Sequence, residues 1–213
     1  MAAVKRNPPS LSRRDRAQQT RLRMIRAAHE QFVARGYTGA TMADIAAAAG
    51  VAVQTVYFTF HTKAELLQAC YDRAVLGEDD PLPPPQQPWY RAMLAARSGS
   101  AALRHFVAGN TEIVARVGAL DDIVRSALHE PDAVRVRGHS EELRRIGYRN
   151  LVDHLADRFG LASGVDRDTA TDLLLMYGAT SSYRTLVLDY GWTRERYEKW
   201  LHAALVQQLL RRS

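Results

Sequence analysis

Apolar residues recur along this chain at the three- and four-residue spacing of helices buried on one face. From about Asp15 to Gly36 they are Leu22, Ile25, Phe32 and Val33, with Arg16, Arg21, Arg23 and Arg26 on the other faces. Two short helices are predicted next. The first opens behind Thr41, whose hydroxyl can accept from a first-turn amide, and Asp44 suits the positive end of the helix dipole. Ala46 to Ala49 combine helix propensity with little bulk, so a second helix can approach closely. Gly50 supplies the left-handed residue that ends the helix and turns the chain. The second helix runs from about Val53 to Thr59, with Val56 and Phe60 turned toward Ile45 and Val51. Thr62-Lys63-Ala64-Glu65 has the form of a capping box and opens a longer helix striped by Leu66, Leu67, Cys70 and Ala74.

Gly77 to Pro88 holds five of the eight prolines, which no helix can continue through. It reads as a stiff loop that delivers Pro88 to the first turn of a helix over Trp89–Arg97. Helical periodicity then runs to the end of the chain. Ser100 to Val117 carries Leu103, Phe106, Val107, Asn110, Val114 and Val117 on one face, and Asp121–His129 follows a break at Gly118. Pro131 starts a long helix to Phe159, closed by Gly160 and Gly164. The last pair covers 168–190 and 193–210, parted by Gly191.

A helix, a glycine turn and a second short helix form the arrangement that lays a recognition helix into the DNA major groove. Thr41, Asp44, Ile45, Ala46, Ala49, Gly50, Val51, Thr55, Tyr57, Phe60, Lys63 and Leu66 also stand in a specific order. That order resembles the DNA-binding region of TetR-family transcriptional regulators, and Phe32, Gly36 and Tyr37 match the phrase that ends the helix before it. Two departures stand out. Ala52 replaces the serine that usually caps the recognition helix, and Val53 and Phe58 replace residues that are commonly polar or basic. The resemblance implies an all-α chain: a disordered basic arm (1–14), a three-helix helix-turn-helix DNA-binding domain (15–62) and a helical effector-binding and dimerisation domain (63–213). It further implies a homodimeric repressor, released from a palindromic double-stranded DNA operator by a small-molecule effector.

The charge agrees with that division. Residues 1–63 hold ten of the 29 Lys and Arg but three of the 23 Asp and Glu, so the surplus of +6 sits where a phosphate backbone would want it. Cys70 is the only cysteine, which excludes an intramolecular disulfide and suits a reducing cytoplasm. No signal-peptide pattern and no membrane-length apolar run is present, so no membrane partner is expected. The sequence has no H-E-x-x-H, no G-x-S-x-G in a strand-turn context and no P-loop, and His139 and Glu142 at i, i+3 are weak metal spacing. No catalytic residue, metal or cofactor is expected. Competing readings are a structural protein that coats DNA without preference and a helical enzyme with an unrecognised site.

Within the DNA-binding region, Gln54 and Thr55 fall where side chains reach base edges. Gln can bond adenine N6 and N7 together, and Thr can offer a hydroxyl or a methyl. Phe58 either meets a thymine methyl or sugar or is partly core. Tyr57 resembles the family tyrosine whose hydroxyl touches a phosphate, against the alternative of a packed ring. Lys63 is the matching cation, and Thr41 and Thr59 add hydroxyls. Lys5, Arg6, Arg13 and Arg14 form either a minor-groove arm or a solvated tail. In the body, Asn110 is polar on an apolar face and must find a partner in protein, water or ligand. Trp89, Phe106, Tyr148 and Tyr177 are the other pocket candidates, against the alternative of plain core. Tyr183, Leu186, Tyr190, Tyr197, Trp200, Leu201 and Leu205 line the last two helices and are the candidate dimer face, as in the TetR family, against the alternative that these faces pack on the chain's own body.

Overall fold

The computed structural model describes residues 12–77 and 82–211. The expected arm through Leu11, residues 78–81 of the proline-rich loop and the last two residues lie outside these. The chain divides into two units, Met1–Cys70 and Tyr71–Ser213.

In the first unit, helix α1 (Arg13–Gly39) begins earlier than the apolar pattern suggested. The Ser12 hydroxyl accepts from the Asp15 amide and the Asp15 carboxylate accepts from the Ser12 amide, a reciprocal cap with Asp in the usual Glu place. Arg13 and Arg14, expected on a disordered arm, therefore stand on this helix. Met24, Ile25, Ala27, Ala28 and Phe32 are buried, whereas Val33, expected inside, is 51% exposed. Phe32 already fills the core side there, and the next residue points a quarter-turn away. Gly36 (φ 70°) interrupts the helix and turns Tyr37 inward beside Phe32, with ring centroids 6.0 Å apart.

Helix α2 (Met42–Ala49) is capped by Thr41 and stopped by Gly50 at φ 65°, ψ 42°. The Val51 amide donates to Ala46 O at 3.0 Å and the Gly50 amide to Ala47 O at 3.2 Å, the paired bonds of a Schellman stop. Helix α3 (Val53–Phe60) follows at 109° to α2. Ile45, Ala46 and Ala49 are buried on one side of the turn, Val56 and Phe60 on the other. Helix α4 (Lys63–Leu76) opens with the Thr62 hydroxyl accepting from the Glu65 amide.

In the second unit, one 3₁₀ turn (Pro84–Gln86) leads to α5 (Pro88–Ala95), with Pro88 in its first turn as expected. Helices α6 (Gly99–Ser126), α7 (Pro131–Phe159) and α8 (Arg167–Tyr177) follow. A short α9 (Thr180–Tyr183), a π turn (Arg184–Asp189) and α10 (Arg194–Leu209) complete the chain. Helix α6 is the spine, packed on α5, α7, α9 and α10. The expected break at Gly118 is absent. Val117, Leu120, Ile123 and Val124 are buried on both sides of it, and their burial offsets the roughly 1 kcal/mol cost of a mid-helix glycine.

The single helix expected over 168–190 is instead interrupted at Gly178. The Gly178 carbonyl, which a continuing helix would offer to the next turn, accepts from the Asn110 amide at 3.2 Å and lies 3.3 Å from the Tyr148 hydroxyl. The crowding also demands glycine, since a Cβ there would meet Leu174 O at 3.0 Å and Tyr148 Oη at 3.1 Å. Leu103, Phe106, Leu151, Leu155, Leu174, Tyr197, Leu201, Leu205 and Leu209 form the core of this unit.

Candidate nucleic-acid interface

Helix α3 presents two unlike faces. Val56 and Phe60, one turn apart, are buried, and on the other side Gln54, Tyr57 and Phe58 are exposed. The Gly50 stop and the sharp angle to α2 are what turn this second face outward. Phe58 is 85% exposed, so the core alternative for it is gone. Tyr57 is half-exposed, so it is not a fully packed core ring. Thr55 and Thr59 are half-buried, and the Thr59 hydroxyl donates back to Thr55 O at 2.8 Å, which commits its proton to the helix. Thr41 is exposed, yet its hydroxyl is engaged in capping, accepting from the Asp44 amide and donating to Asp44 Oδ2 at 2.7 Å. That bond, with Arg35 Nη1 at 3.0 Å, holds the Asp44 carboxyl below the usual carboxylate range.

Lys63 departs furthest from expectation. Its ammonium donates to Tyr37 O at 2.8 Å and Ala40 O at 3.2 Å, and lies 4.4 Å from the Tyr37 ring centroid. The cation expected on a phosphate instead ties the start of α4 to the connection between α1 and α2. Sequence reasoning also missed Arg21, whose guanidinium lies over the Phe60 ring at 4.5 Å and braces α3 from α1. No local pattern signals that contact, because its partners are 39 positions apart in the numbering. Arg16, Gln19, Thr20 and Arg23 line an open groove along α1.

The pocket candidates of the second unit are packed together rather than around a space. Tyr148 Oη donates to Asn110 Oδ1 at 2.5 Å, and the Asn110 amide reaches Gly178, so the buried polar group finds its partners in protein. Burial pushes the Tyr148 hydroxyl up to about 12. Phe106 meets the Tyr148 ring edge-on at 5.2 Å. Trp89 lies against the backbone of α6 at Gly109, where an added Cβ would collide with its indole ring. Tyr177 faces Trp200 at 6.1 Å. Of the candidate dimer face, Tyr197, Leu201 and Leu205 are fully buried in the chain's own core, which removes them from any surface between copies. Tyr183 stacks edge-on to Tyr197 at 5.2 Å and, like Leu186 and Trp200, is half-buried, whereas Tyr190 is exposed. Among the described residues no single helix is long and apolar enough to cross a membrane, and no group of three or more His, Cys, Asp or Glu is placed to hold a metal.

Residues 24–70 match the profile of the family described as bacterial regulatory proteins, tetR family. The HTH-type transcriptional regulator TtgR of Pseudomonas putida is 46% identical over 59 residues, 28% of each chain. The HTH-type transcriptional regulator SrpR of Pseudomonas putida is 51% identical over 53 residues, 25% of each. The chain thus matches only about a quarter of the length of these curated relatives. Among solved structures, NalD, the secondary repressor of the MexAB-OprM multidrug efflux pump in Pseudomonas aeruginosa, superposes with a TM-score of 0.66. It is 19% identical and covers 92% of this chain and 98% of its own. At that identity the likeness shows the fold, and it extends through the second unit, which the family profile, ending at residue 70, does not reach. Residues 24–70 thus carry the helix-turn-helix region found in bacterial regulatory proteins of the tetR family.

Proposed function

We propose that this protein is a sequence-specific DNA-binding transcriptional regulator, acting as a homodimeric repressor that a small-molecule effector releases from a palindromic operator. The observation that carries the reading is the outward face of α3, where Gln54, Tyr57 and Phe58 stand clear of the core behind a glycine turn. Gln54 and Thr55 would read base edges, while the Tyr57 hydroxyl and the α1 arginines hold phosphates. The regulators TtgR and SrpR support the reading through this unit, and the repressor NalD through the fold. An effector would act in the second unit. There the Tyr197 hydroxyl is one of several buried side-chain atoms without a hydrogen-bond partner. Because binding of effector and of DNA are linked, each must weaken the other by the same factor.

Selection of bound sequences from random DNA tests the reading. It should return a palindrome whose half-site centres lie about 34–36 Å apart. Comparable affinity for every sequence would favour a DNA-coating protein instead.

A further inference from the structure

We propose that Phe58 reads the 5-methyl group of a thymine in each half-site of the operator, an inference that rests on the DNA-binding reading above. On a helix of 3.6 residues per turn, the direction opposite the midpoint of Val56 and Phe60 is that of position 58. Val56 and Phe60 are the residues α3 buries, so Phe58 stands at the apex of its outward face, and its 85% exposure agrees. The side chain that projects furthest from the recognition helix is therefore a hydrocarbon ring.

The ring's chemistry narrows its target. It has no donor for a phosphate oxygen and no polar group for the hydrogen-bonding edge of a base. The methyl on C5 of thymine is the one apolar group that base pairs present in the major groove. Gln54 lies one turn earlier on the same side, about 5–6 Å away between Cβ atoms. That spacing lets Gln54 bond an adenine while Phe58 covers a thymine methyl on a neighbouring pair. The basic character of the surrounding chain, ten Lys and Arg against three Asp and Glu over residues 1–63, supplies the attraction to DNA that an exposed phenyl group lacks.

The test uses the full chain and its selected operator, with each thymine replaced in turn by deoxyuridine, which removes the methyl and keeps every hydrogen-bonding atom. One thymine per half-site should weaken binding roughly fourfold when replaced, about the worth of one buried methyl-sized group. In the Phe58→Ala protein that sensitivity should vanish, while the thermal unfolding midpoint stays where it was, because the lost ring is exposed. With cytosine at the same position, 5-methylcytosine should bind more tightly than cytosine, because those two differ by the methyl alone. If no thymine is sensitive, or if Phe58→Ala keeps the same sensitivity, the methyl contact is overturned while specific operator binding still stands. If wild-type protein shows no preference among sequences, the regulator reading falls together with it.

Discussion

Lys63 stands at the N-terminus of α4, the end where a helix dipole repels a cation. Something must hold it there, and the carbonyls of Tyr37 and Ala40 with the Tyr37 ring face do so. These carbonyls close the end of α1, so one ammonium neutralises orphan acceptors of one helix while anchoring the first turn of another. Lys63→Ala should therefore lower the stability of the protein by about 1–2 kcal/mol, the range for charged hydrogen bonds reduced for partial exposure. Chemical denaturation would show this, and the salt dependence of DNA binding should be unchanged. An unaltered unfolding midpoint with a salt slope smaller by about one phosphate would return the lysine to the DNA. The sequence placed Lys63 correctly at the helix start. Its partners, 26 and 23 positions earlier, depend on how Gly36 turns the chain, and no spacing rule carries that. Asn110 is the same case in the second unit. Its need for a partner was legible from a polar residue on an apolar face, but that Tyr148 and Gly178 would meet that need was not.

At the scale of elements, the short helices were legible because their ends are written in local chemistry. Thr41, Gly50 and Thr62 act within four residues of themselves, and the structure shows each doing so. The misreadings lie where tertiary contacts override a local signal. Gly118 reads as a break, yet buried neighbours carry α6 through it. Helix-forming residues run past Gly178, yet the Asn110 amide from α6 takes its carbonyl where α8 ends. One local signal is missing altogether. Ala52 occupies the N-cap of α3 at φ −69°, ψ 146°, with no side-chain bond to the first-turn amides. The backbone already has the extended geometry that a serine cap uses, and the side chain is exposed. Ala52→Ser should therefore raise stability by about 1 kcal/mol, read as a higher denaturation midpoint at unchanged slope. A neutral or destabilising result would mean that the first-turn amides of α3 are already satisfied in another way.

At the scale of the whole molecule, a palindromic operator requires two copies of α3 held by one dyad, so the function proposed here stands on dimerisation. The burial pattern separates residues that can serve it from those that cannot. Tyr197, Leu201 and Leu205 are fully inside one chain, and their apolar stripe is the core of that chain rather than a seam between two. The same stretch of sequence leaves Met176, Leu188 and Tyr190 exposed at 55%, 67% and 69%, large apolar side chains that gain from being covered. A helix stripe read from sequence cannot tell its own core from a partner's, because both ask for the same spacing of apolar residues. Substitution can tell them apart. A charge at an exposed contact position destabilises only the association, whereas a charge in the core destabilises the fold. Leu188→Asp or Met176→Asp should yield a monomer by light scattering that keeps the helical circular dichroism of wild type and loses operator affinity. Leu201→Asp should instead lose several kcal/mol of folding stability and aggregate or fail to accumulate. If both exposed variants remain dimeric and hold the operator as well as wild type, the two copies meet on another face, and the partner for this end of the second unit has to be sought elsewhere.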